Sequence, residues 1–226
     1  MSEAGRRTAA EAAAALAEPG MRLGLGTGRT MEFVLRALSR RIREEGLRVT
    51  GIPTSGATAA RARALAIPLA EPDAPCDLAI DGADQVERRT LRLMKGGGGA
   101  LLREKIIAES ASRLVVVADA AKLVDQLGTG FPLPVEITPF GHALATRRIA
   151  ALGGTPALRL RDGAPFVTDN ANLVLDCPGF APISDPYTLE RSLRAIAGVV
   201  ATGLFLLPVE RALIGHEDGT VEDLRP

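Results

Sequence analysis

Residues 21–42 read MRLGLGTGRTMEFVLRALSRRI, and this stretch decides the fold. Met21 to Leu25 forms a short segment that runs into a turn containing Gly26 and Gly28. Beyond the turn, Met31, Val34, Leu35, Leu38 and Ile42 recur at helical spacing. The chain therefore switches from strand to helix through glycines. Strands that alternate with helices in this way build an α/β sheet.

The alternation continues outward. Residues 8–17 read as a helix that Pro19 and Gly20 terminate. Val49–Ile52 and Asp77–Ile80 read as strands, with a helix over Ser55–Leu65 between them. A polar hairpin-like stretch leads to Leu91–Met94, and a helix over Ala100–Ser112 follows. Leu114–Ala118 is a continuous apolar run, as expected for a strand buried on both faces. These elements predict a doubly wound α/β sheet.

The pattern changes near Gly128. PLPVEITPFG (132–141) reads as a strand interrupted by prolines, then a helix over 142–152, short strands near 157–160 and 172–175, and a helix over 186–197. This predicts a second, smaller α+β domain over 128–203. The tail, 204–226, is expected to rejoin the first domain of 1–127.

Composition narrows the function. With 46% hydrophobic and 24% charged residues, the chain can bury a core like an ordinary globular protein. Basic and acidic residues number 27 each, so no global field attracts nucleic acid. Cys76 and Cys177 lie outside any paired-cysteine spacing, so reduced, buried thiols are expected. Glu11 and Glu18 interrupt the alanine-rich N-terminus, which suits an amphipathic helix better than a signal peptide. No apolar run has the length of a membrane span. The expected setting is cytoplasmic. His142 and His216 are isolated, so neither a metal nor another cofactor is expected. Acid–base chemistry then falls to carboxylates and lysines.

Three segments concentrate that chemistry. GLGTGRT (24–30) lies between strand and helix, where Gly28 and the backbone N–H groups suit an anion, with Thr27 and Thr30 as hydroxyl donors. It has neither the Walker ending nor the third glycine of a dinucleotide fingerprint, and a purely structural turn is the competing reading. DGAD (81–84) ends a strand at the sheet edge where ligands bind, so Asp81 and Asp84 line a pocket or else cap a turn. KGGGGALLREK (95–105) holds four glycines that are costly to order unless a ligand approaches the backbone. On the helix that follows, Glu104 is the one charged member of an arc formed with Ala100, Leu101, Ile107, Ala108 and Ala111. A buried carboxylate there would have a raised pKa and could move protons; an exposed structural ion pair is the alternative. The chain uses 24 arginines but three lysines, which singles out Lys95 and Lys122 for chemistry and leaves Lys105 as a helix-surface residue.

Together GLGTGRT, DLAIDGADQVE, LMKGGGGALLREKIIA, VVVADAAKLVDQLG, PLPVEITPFG and VTDNANLVLDC resemble, in order and spacing, the type A ribose-5-phosphate isomerases. The resemblance implies a Rossmann-like large domain, a small α+β lid domain, a homodimer or homotetramer, and metal-free conversion of ribose 5-phosphate to ribulose 5-phosphate. It implies Glu104 as catalytic base, with Lys95, Asp81 and Asp84 beside it. It also implies substrate contacts from Thr27, Gly28, Arg29, Thr30, Asp81, Gly82, Ala83, Asp84, Lys95, Gly96, Gly97, Gly98 and Lys122. The chain departs from the family pattern at Arg29, where serine is usual, at Gln85, where an acid is usual, and at Ala171, where glycine is usual. A phosphate-binding lysine near the N-terminus is matched by Arg7. Two rivals follow: an isomerase of another sugar phosphate, suggested by Arg29, and a non-catalytic sugar-phosphate sensor. Sensors of this fold normally carry a helix-turn-helix segment, and the glycine loop at residue 24 is expected to leave no room for one.

Overall fold

In the computed structural model, residues 3–226 are described, and six strands form the main sheet. From one edge they are Val221–Leu224, Arg211–Gly215, Leu114–Asp119, Leu78–Gly82, Arg22–Leu25 and Thr50–Pro53. All neighbours are parallel except the outermost antiparallel pair, Val221–Leu224 with Arg211–Gly215. The tail thus returns to the main sheet, as its apolar run suggests.

Strand side chains alternate between two cores, as the pleat requires. Leu78, Ile80, Val115 and Val117 face one side, where α1 (Glu3–Ala14) and α2 (Arg29–Glu44) pack through Ala9, Ala13, Val34 and Leu38. Ala79, Leu114, Val116 and Ala118 face the other. There α4 (Leu101–Ser110) covers the sheet with Leu101, Ile107 and Ala108, while α3 (Gly56–Ala64), which follows the edge strand, buries Ala62 in the first core. α1 starts five residues before the expected residue 8, because Gly5 lies against the His216 backbone and extends the docked face.

A second, wholly antiparallel sheet orders its strands Val199–Thr202, Leu133–Ile137, Leu173–Cys177 and Ala157–Leu158. α5 (His142–Ala151) and α6 (Pro186–Arg194) pack on it around Val135, Ile137, Ile149, Leu175 and Leu193. The expected single strand over 157–160 is split at Arg159, and Leu160–Arg161 instead pairs with Ala164–Pro165. A third sheet joins Leu204–Phe205, Leu93–Met94, Gln85–Glu87 and Leu123–Val124. Leu93–Met94 falls in the expected segment Leu91–Met94 and Leu204–Phe205 in the apolar start of the tail, whereas the other two strands, of two or three residues, carry too little periodicity to be read in sequence. Among the described residues no helix is long and apolar enough to cross a membrane.

Candidate active site

Strands Arg22–Leu25 and Leu78–Gly82 lie side by side and parallel, so the glycine turn and DGAD emerge at the same edge. The KGGGG turn closes onto them, and a cavity of about 470 Å³ forms. Thr27, Gly28, Arg29, Thr30, Gly82, Ala83, Asp84, Lys95, Gly96, Gly97, Gly98, Glu104 and Lys122 all line it. A larger groove of about 790 Å³ lies between α3 and α4, but it holds no comparable cluster of acids and lysines.

Asp81 is the exception among the candidates. It is not part of the cavity lining and lies buried beneath it. A Cβ on Gly26 would stand 2.0 Å from Asp81 Oδ1, so only glycine lets the turn sit over this carboxylate. Asp81 Oδ1 accepts the Gly82 N–H at 2.7 Å, and Oδ2 lies 3.0 Å from Lys95 Nζ. Asp81, expected to meet the substrate, holds the Lys95 ammonium in this structure.

Lys95 is pinned from several sides. Its ammonium donates to the Gly82 carbonyl at 2.6 Å and stands 3.4 Å from Glu104 Oε2. Burial works against the charge, but the Asp81 and Glu104 carboxylates outweigh it and raise the lysine pKa, so the ammonium persists. Burial, together with the negative Asp81, pushes Glu104 up to about 8 despite the nearby lysine. Burial likewise raises the Asp81 carboxyl, opposed by Lys95 and the N–H groups of Gly82 and Thr27. Two acids and one cation are buried side by side. Such a cluster holds a proton near neutrality and can pass it to carbon.

One wall of the cavity is built from the backbone of the glycine turn and the start of α2. Gly28 has a φ of 125° and leaves the start of α2 without a side-chain cap, so the first helical N–H groups remain available to an anion. Arg29 and Thr30 begin the helix there. The Thr27 hydroxyl, expected as a donor to ligand, instead donates to Ser55 Oγ at 2.9 Å and lies 2.8 Å from Thr54 Oγ1. That bond fixes the loop against α3. Asp84 faces the cavity from the other side and accepts the Gly97 N–H at 2.7 Å.

The structure adds residues that sequence reading passed over. Arg6 lines the cavity, whereas Arg7 is turned away and pairs with Glu3 at 2.8 Å. Arg7, matched in sequence to a phosphate-binding lysine, therefore lies outside the cavity, and helical rotation of about 100° per residue brings its neighbour Arg6 there. Asp119 and Phe131 also line the cavity. Asp119 could have been found from its place at the end of an apolar strand. Lys105, expected on the surface, is buried and paired with Glu190 at 2.9 Å.

Comparison with known proteins identifies the family. Residues 50–219 match the family model described as ribose 5-phosphate isomerase A (phosphoriboisomerase A). The chain is 54% identical over 221 residues to ribose-5-phosphate isomerase A of Roseiflexus sp. (strain RS-1), covering 96% of this chain and 94% of that protein. The solved ribose 5-phosphate isomerase A of Methanocaldococcus jannaschii superposes with a TM-score of 0.93 at 42% identity, over 98% of each chain. A D-ribose-5-phosphate isomerase solved in complex with phospho-erythronic acid gives 0.95 at 33% identity over 100% of both chains. The chain belongs to the ribose 5-phosphate isomerase A family.

Proposed function

We propose that the protein interconverts ribose 5-phosphate and ribulose 5-phosphate through an enediolate. The carrying observation is the buried Glu104 carboxylate, 3.4 Å from the Lys95 ammonium and bordering a cavity with an open helix N-terminus. Glu104 takes the proton from C2 of the open-chain aldose, and the C1 carbonyl becomes an enediolate oxygen. Glu104 then returns the proton to C1 on the same face, while the C2 hydroxyl proton moves to O1. One C–H bond breaks and one forms, so the sugar is neither oxidised nor reduced overall.

Lys95 and the N–H groups of the glycine turn stabilise the developing oxyanion. Asp81 keeps Lys95 in place from below, and Asp84 takes sugar hydroxyls. The α2 N-terminus with Arg29, Thr30 and Arg6, and Lys122 across the cavity, holds the phosphate. Lys122 forms no ion pair among the described residues, which suits it to an incoming anion better than the anchored Lys95. Remote phosphate binding orients the reacting carbons.

A coupled assay with ribose 5-phosphate and a chelator tests both the substrate and a metal-free route; loss of turnover with chelator would remove the latter. Comparing four-, five- and six-carbon aldose phosphates tests the selectivity of the Arg29 loop. We further assign a smaller domain to residues 128–203 and a cytoplasmic homodimer or homotetramer. Phe140, 94% exposed, and Leu144 on α5 supply apolar surface for a second copy, and sedimentation velocity measures the state directly.

A further inference from the structure

Arg159 interrupts an edge strand of the second sheet and reaches the catalytic glycine turn. Asp176 fastens its guanidinium through two bonds, Nε to Oδ2 at 2.9 Å and Nη2 to Oδ1 at 2.5 Å. Nη1 is thereby aimed at two carbonyls, donating to Gly96 O at 2.7 Å and Gly97 O at 3.2 Å. These contacts control where the turn's N–H groups point. In a planar trans peptide, the C=O and the following N–H are directed oppositely.

The first of the two peptides shows the effect. Gly96 O faces Arg159, and the Gly97 N–H meets the cavity residue Asp84. The second peptide repeats it: Gly97 O faces Arg159, which directs the Gly98 N–H away from the guanidinium. Among the described residues no acceptor takes that N–H, and Gly98 lines the cavity. Within the turn the Gly99 N–H also donates to Gly96 O at 3.0 Å, but no backbone bond of the turn holds Gly97 O, and glycines have no side chains to choose its orientation, which leaves that choice to Arg159. A cationic donor on the carbonyls also polarises each amide and strengthens its N–H as a donor.

We propose that Arg159 is a positioning residue for the isomerisation: it sets the peptide planes of the KGGGG turn so that the Gly98 N–H meets the enediolate oxygen. This rests on the isomerase reading above. Arg159 touches no reacting atom. Its effect passes through the glycine peptides, and it falls on the transition state more than on the bound sugar.

The test uses the full chain with Arg159→Met and Arg159→Ala, after turnover of ribose 5-phosphate by the parent is established. In Arg159→Met, kcat is expected to fall roughly 10- to 100-fold, with KM held within about threefold. Inhibition by phospho-erythronic acid, a planar-carboxyl mimic of the enediolate, should weaken in parallel with kcat/KM. Arg159→Lys, whose ammonium still reaches one carbonyl, should recover part of the loss. Low, non-denaturing guanidinium should raise kcat of Arg159→Ala, whereas a variant crippled only by poor folding would be depressed by it. The proposal is overturned by a folded Arg159→Met whose kcat stays within about twofold of the parent, or by a loss that neither lysine nor guanidinium relieves. An inactive parent would instead remove the isomerase reading.

Discussion

Lys95 Nζ stands 3.4 Å from Glu104 Oε2 and 3.0 Å from Asp81 Oδ2, so one ammonium separates two buried carboxylates. Glu104 alone of the two acids borders the cavity. This asymmetry assigns the base. Glu104→Gln keeps the shape and one donor–acceptor pair but cannot accept a proton from carbon. Turnover should fall by about 10²- to 10⁴-fold with KM near the parent value. Steady-state kinetics with ribose 5-phosphate reads this directly, and near-normal turnover defeats the assignment.

The raised Glu104 pKa predicts a pH dependence. The base must be ionised, so kcat/KM should decline below a limb near pH 8, where the group titrates. A limb near the ordinary value of 4.5 would mean that the carboxylate is not desolvated in the free enzyme.

Stability should carry the same signature with a defined sign. The folded pKa is raised above the ordinary 4.5, so folding favours protonated Glu104. That contribution is fully present below about 4.5 and is lost as pH rises through about 8. Glu104→Gln should therefore gain stability over the parent at pH 9, by roughly 1–3 kcal/mol, and little at pH 4. Melting curves at both pH values measure the difference.

Lys105 and Glu190 tie α4 to α6 by a largely buried ion pair, and Lys105 Nζ also donates to Leu204 O at 2.9 Å. Burial lowers the lysine pKa while Glu190 opposes the shift. Lys105→Met alone should destabilise the fold by about 2–4 kcal/mol, because it leaves the partly buried Glu190 carboxylate with Thr202 as its hydrogen-bond donor but no cation. Adding Glu190→Leu should restore most of the loss. Urea unfolding of the single and double variants decides it; equal losses in both would show that packing, not charge, dominates.

Ala171 holds a φ of 59°, a left-handed conformation in which its Cβ is crowded. It lies in the TDNAN loop, where Thr168 Oγ1 and Asn172 Nδ2 donate to the buried Glu136 at 2.9 and 3.0 Å. Ala171→Gly should relieve strain and stabilise by about 0.5–1 kcal/mol, or roughly 1–4 °C in Tm. An unchanged or lower Tm would show that the loop already accommodates the methyl group.

Arg6 and Arg7 are adjacent in sequence but serve different surfaces. Arg6→Ala should raise KM for ribose 5-phosphate several-fold, because a cation is lost from the cavity wall. Arg7→Ala removes an exposed pair with Glu3 and should leave KM unchanged. The reverse pattern would place the phosphate elsewhere.

Local pattern carried most of the architecture. The 21–42 stretch, the apolar run 114–118 and the helical arc around Glu104 each express a period set by backbone geometry, which any chain must obey. Glycine runs and scarce lysines likewise marked the cavity walls, because backbone approach and a persistent compact charge each demand particular residues. Tertiary contact decided the rest. Asp81 became a support for Lys95, Lys105 was buried rather than exposed, and Arg6 rather than Arg7 faced the cavity. Arg159 met a turn more than sixty residues away in sequence. No period encodes such pairings, since they depend on which surfaces meet once the sheets have packed.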